Sequence, residues 1–69
     1  MTMLTNEDKI GIINQQKRNL EYGKYALEVS VIVENAVASP DEAALSSLNE
    51  KIADFNLKLA ALDAAIAAL

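Results

Sequence analysis

An all-α fold, an antiparallel helical hairpin with coiled-coil heptads, is predicted by three observations. Leu45, Leu48, Ile52, Phe55, Leu59, Leu62, Ile66 and Leu69 recur at alternating steps of three and four without a break. That spacing keeps one apolar seam along a helix, with Leu45, Ile52, Leu59 and Ile66 at a and Leu48, Phe55, Leu62 and Leu69 at d. Second, Ser39-Pro40-Asp41-Glu42 carries the signature of a helix start. Third, the stretches on either side of it are nearly equal in length and free of proline. Two helices of about 45 Å joined by so short a link fold back on one another.

Helix 1 is expected over about 6–38. Thr5 can cap its free N–H groups, and Glu7 and Asp8 place negative charge at the positive end of the dipole. Its seam is sparse: Ile10, Ile13, Leu20 and Leu27, with Lys17 and Lys24 at two a positions. A second stripe of Tyr22, Tyr25, Val29, Ile32 and Ala36 also steps by three and four, and Ala26, Val33 and Val37 widen it. Glu21, Lys24, Glu28 and Asn35 make the remaining wet face. A helix apolar over so much of its circumference touches more than one neighbour, which points to assembly into a multi-helix bundle. Val29-Ser30-Val31-Ile32-Val33 is β-branched enough to be read as a strand, but no turn bounds it and no second strand can pair with it. Gly11 and Gly23 each weaken the helix by about 1 kcal/mol and read as tolerated glycines, with close backbone approach as the alternative.

The turn is placed at 39–40, with Ser39 as N-cap and Glu42 reaching back to it, because proline drives Ser39 out of the helical region. Helix 2 follows over about 40–69. Its alanine-rich end, Ala60 to Leu69, favours helix and would let another helix approach closely. No linker divides the chain, so residues 1–69 read as a single hairpin domain.

Composition narrows the function. Sixty-nine residues are near the limit for a core that stands without help, and the chain has neither cysteine nor histidine. Disulfides and thiolate or imidazole metal sites are therefore excluded, which leaves self-association or docking as the support. A net charge of −4 and a pI near 4.5 argue against nucleic-acid and anionic-membrane surfaces. The one basic cluster, Lys17, Arg18 and Lys24, is interleaved with Glu21 and Glu28 and reads as a mixed solvated face. No apolar run approaches a membrane span, and the start MTMLTNEDK turns polar before any signal-peptide core develops. A soluble protein is expected.

Catalysis has little to work with. Ser39 is explained as a cap, and the acid pairs Glu7/Asp8 and Asp41/Glu42 sit in helix first turns, where dipole compensation accounts for them. No phosphate loop and no metal-ligand spacing occur, so no catalytic, cofactor-binding or metal-ligating residue is assigned and no enzyme is expected. Glu34 continues the d series Ile13, Leu20 and Leu27 toward the turn, where a polar group can set register; an exposed rim position is the alternative. Lys58 at g and Asp63 at the following e can pair across an interface. The candidate interface comprises Leu45, Leu48, Ile52, Phe55, Leu59, Leu62, Ile66, Leu69, Tyr22, Tyr25, Val29 and Ile32.

The segments LTNEDKIGII (Leu4 to Ile13) and NLEYGKYALEVSVIVENAV (Asn19 to Val37) resemble short helical proteins encoded among the structural genes of tailed bacteriophages, marine ones especially. The resemblance spans most of the chain and carries over no functional residue. It implies a virion component or assembly factor, found in the virion or host cytoplasm. Trimeric partners such as tail fibres are frequent in that setting. The expected function is thus non-enzymatic: a self-associating hairpin, part of a phage tail or fibre. Its partners would be further copies of itself, a trimer slightly ahead of a dimer, and a larger virion protein, with neither nucleic acid nor membrane. In a trimer the helix 2 ladders would meet on the axis. The alternative is a small chaperone or adaptor whose hairpin holds an apolar segment of another protein.

Overall fold

The computed structural model describes residues 3–69, and its regular elements are α1 (Asn6–Asn35) and α2 (Glu42–Ala67), packed against each other as a helical hairpin. Met1 and Thr2, which begin the 1–69 domain and the N-terminal segment weighed as a signal peptide, lie outside the described residues. Thr5 caps α1 as its chemistry dictates. Its hydroxyl accepts the Asp8 N–H at 3.1 Å, and the Asp8 carboxylate accepts the Thr5 N–H at 3.0 Å, so two orphan donors are satisfied reciprocally. The β-branched run Val29–Val33 is helical, as its flanks require.

The turn differs from the sequence expectation. α1 stops at Asn35, with the Ala36 N–H tightened onto the Val33 carbonyl at 3.2 Å, so Val37 and Ala38 lie outside the helix. The N-cap of α2 is Asp41, not Ser39. Its carboxylate accepts the amides of both Ala43 (3.0 Å) and Ala44 (3.2 Å), and a charged acceptor at the positive helix end outcompetes a serine hydroxyl. Glu42 therefore opens α2 and does not close a box on Ser39. The reciprocal bond comes from across the turn, where Glu34 Oε1 accepts the Asp41 N–H at 3.0 Å. The connection is thus 36–41 and not 39–40. At its other end α2 stops at Ala67, and the amides of Ala68 and Leu69 bond back to Ala64 and Ile66.

Each helix turns one heptad line toward the other. On α1 the partly covered residues are Ile10, Ile13, Lys17, Leu20, Lys24, Leu27, Val31 and Glu34, flanked by Gly23 and Glu28. On α2 they are Leu45, Leu48, Ile52, Phe55, Leu59, Leu62 and Ile66, with Ala44 beside them. Four contacts fix the antiparallel register along the rod: Glu34 with Asp41, Gly23 against Phe55, Lys17 with Asp63, and Asn6 Nδ2 donating to the Leu69 carbonyl at 3.5 Å. The two lysines that leave the α1 seam sparse run their aliphatic stems along it and carry their charges to its edge. Lys17 Nζ pairs with Asp63, and Lys24 Nζ lies 3.8 Å from Glu28. Asp63 thus meets Lys17 within the chain and not Lys58, which sits over the Phe55 ring at 5.3 Å.

Gly23 is not a merely tolerated glycine. A Cβ built there would lie 2.9 Å from both Cε1 and Cζ of Phe55, so the ring lies directly on the α1 backbone. A Cβ at Gly11, by contrast, would meet nothing within 4 Å beyond the adjoining backbone of its own helix.

Candidate interaction surface

Two single helices can shield only one line of side chains each, and the consequence is quantitative. The molecule measures 60 × 16 × 15 Å with a radius of gyration of 16.5 Å, against about 11 Å for a compact domain of this length. No described residue is fully buried. The α2 ladder, first half of the sequence-derived interface, faces α1 of its own chain from Leu45 to Ile66, while Leu69 lies past the helix end and is exposed.

The other half of that interface faces outward. Tyr22, Tyr25, Val29 and Ile32 occupy the side of α1 opposite the seam, with Tyr22 at 65%, Tyr25 at 64% and Ile32 at 65% exposure and Val29 less open. Val33, one helical turn from Val29 and 63% exposed, belongs to the same patch. Arg18 closes its N-terminal end. The guanidinium lies 5.0 Å from the Tyr22 ring centroid and 3.6 Å from a Glu21 carboxylate oxygen, and these groups with Tyr25 line a shallow groove. All three members of the basic cluster therefore have an acidic neighbour: Asp63 for Lys17, Glu21 for Arg18 and Glu28 for Lys24. That arrangement is a mixed, largely neutralised flank.

No protein-family model, curated protein or solved structure matches the chain.

The chemistry of the surface is that of contact. Tyrosine and β-branched side chains offer large area at low conformational cost, and the tyrosine hydroxyls can remain wet at the edge of an interface. Among the described residues no three His, Cys, Asp or Glu side chains converge in a way that could hold a metal ion. Among them too, no helix is long and apolar enough to cross a membrane. The carboxyl of Asp8 is pulled below its ordinary value, first by the Thr5 backbone N–H and then by the Thr5 hydroxyl, and its place is the α1 cap. Sequence reasoning singled out the tyrosine stripe because its spacing is helical. It counted Val33 among the residues that widen the stripe without placing it in the candidate interface, and it missed Arg18, although the i+4 step from Arg18 to Tyr22 was there to read.

Proposed function

We propose that this chain is a non-enzymatic structural or assembly protein, a helical hairpin that completes its apolar packing by associating with further copies of itself. The observation that carries this reading is the coexistence of a fully used seam with an uncovered second stripe: both heptad lines face inward, yet the outer side of α1 still presents tyrosine, valine and isoleucine to solvent. An isolated pair of helices with no buried residue gains little from burial, and covering the stripe supplies what the hairpin lacks. The resemblance to phage structural proteins supports a virion setting for this association, on a tail or fibre, with a larger virion protein as the second partner. Since the α2 ladder is turned toward α1, association through the outer stripe favours a pair of hairpins over a three-fold packing with the α2 ladders on the axis.

The test is the mass of the purified full chain in solution, by light scattering behind size exclusion, with circular dichroism across a dilution series. A helical oligomer whose dissociation lowers its melting temperature is the expected result. A folded monomer across the series would refute the reading. A poorly ordered monomer that gains helicity only with another virion protein would move the function to the adaptor class.

A further inference from the structure

We infer that the outer stripe of α1 docks on the same stripe of a second copy, the two α1 helices antiparallel about a two-fold axis near Val29. This inference rests on the self-association reading and adds its geometry.

Three observations carry it. The first is area. The exposed parts of Tyr22, Tyr25, Val29, Ile32 and Val33 form a patch on the order of 500 Å², and pairing two of them buries roughly 1,000 Å², about where specific interfaces begin. The second is shape. The stripe is graded along the helix, tyrosines at one end and Ile32, Val33 and Ala36 at the other. Antiparallel pairing about Val29 sets the tyrosines of one copy over the smaller residues of the other, whereas parallel pairing stacks tyrosine on tyrosine. The same patch on both subunits is what a closed, isologous pair requires.

The third is charge. The last turn of α1 has no basic residue, so its C-terminal carbonyls have no cation of their own to face. Arg18 is as far from Val29 on one side as the turn is on the other, so antiparallel pairing carries it just beyond the C-terminal end of the second copy's α1. Parallel pairing would instead set Arg18 against Arg18 and leave both carbonyl ends bare. Glu28, the acid nearest the axis, lies on the seam side of the helix beside Lys24.

The absence of cysteine makes the test clean. In the full chain, Val29→Cys is expected to form a disulfide-linked dimer under mild oxidation. Tyr22→Cys and Ala36→Cys should each resist linking to themselves, since two copies of either position are about 20 Å apart along the pair, yet link to each other when mixed. Tyr25→Glu with Ile32→Glu, both on the exposed face, should leave the hairpin helical and raise the dissociation constant by roughly a hundredfold or more. Leu57→Glu, at an α2 position 70% exposed, should leave the mass unchanged. Self-linking of Tyr22→Cys would overturn the antiparallel pair. An oligomer indifferent to the stripe substitutions, or broken by Leu57→Glu, would overturn the inference while self-association stood. A wild-type chain that is monomeric would overturn both.

Discussion

Alanine at Gly11 and alanine at Gly23 form a matched pair of perturbations on one helix. Both remove the backbone freedom of a glycine in a helix interior, which stabilises by about 1 kcal/mol. At Gly11 nothing lies within 4 Å of the new methyl, so that gain is realised in full. At Gly23 the methyl would sit 2.9 Å from two ring atoms of Phe55, inside the contact distance of carbon with carbon. The ring is held between α1 and α2 in the middle of the rod, and moving it opens the seam on both sides. Overpacking of this kind costs about 1–3 kcal/mol, which equals or exceeds the propensity gain. The expected separation between the two variants is therefore about 1–3 kcal/mol, with Gly11→Ala the more stable. Thermal unfolding followed by circular dichroism, at one fixed protein concentration, reads it as a gap of several degrees or more, since about 1 kcal/mol shifts the midpoint by about 4–8 °C at this size. Phe55→Leu in the Gly23→Ala background should recover part of the loss, while Phe55→Leu alone should destabilise. Gly23→Ala melting as high as Gly11→Ala would refute the close approach of Phe55 to the α1 backbone.

Three further outcomes follow from the same contacts. Glu34→Ala leaves the Asp41 N–H without its protein acceptor and should lower stability by about 0.5–1.5 kcal/mol in urea unfolding, with Glu34→Gln, which can still accept, losing less. Replacing Lys17 by leucine fills a sparse a position with an apolar side chain and forfeits only a surface ion pair worth under about 1 kcal/mol, so the variant should be more stable than the parent chain, with a smaller response to salt. The Asp8 carboxyl is depressed in the folded chain, so its contribution is present above the ordinary carboxylate range and is lost as pH falls through the lower folded value. Protection of the first-turn amides of α1, taken relative to the intrinsic exchange rate at each pH, should therefore fall on acidification, and Asp8→Asn should flatten that dependence.

Periodicity made most of this fold legible. The step of three and four in α2 identified its inward face residue by residue, and the same rule applied to α1 separated the seam from the tyrosine stripe. Thr5 was legible as a cap because an acid, Asp8, stands three residues after it, the spacing of a capping box. At the turn, Ser39 and Asp41 both satisfied the local rule; the carboxylate was the stronger cap, and Glu34, seven residues upstream and brought near only by the closed hairpin, added the bond to the Asp41 N–H. Gly23 was opaque for a similar reason: whether a glycine is idle or necessary depends on what the opposing helix places over it, and a single helix pattern contains no cross-helix register. The pairing of Lys17 with Asp63 belongs to the same class, since it joins residues 46 positions apart on different helices. For the surface, the residues of the stripe were readable, and their exposure became definite only once α2 was seen to cover the other side of α1.

The register has a mechanical consequence. The contact between Asn6 and Leu69 puts the start of α1 and the end of α2 at one tip of the rod, while the Glu34–Asp41 bond closes the other. Tension applied between the start of α1 and the end of α2 acts across the seam and parts it one rung at a time, beginning at Ile10 and Ile13 and reaching the turn last. Load entering through the flank of α1 is instead shared by every rung in parallel. A rod of this construction is weak to peeling and strong to shear, so a stress-bearing attachment belongs along its side and not at the open tip of the hairpin.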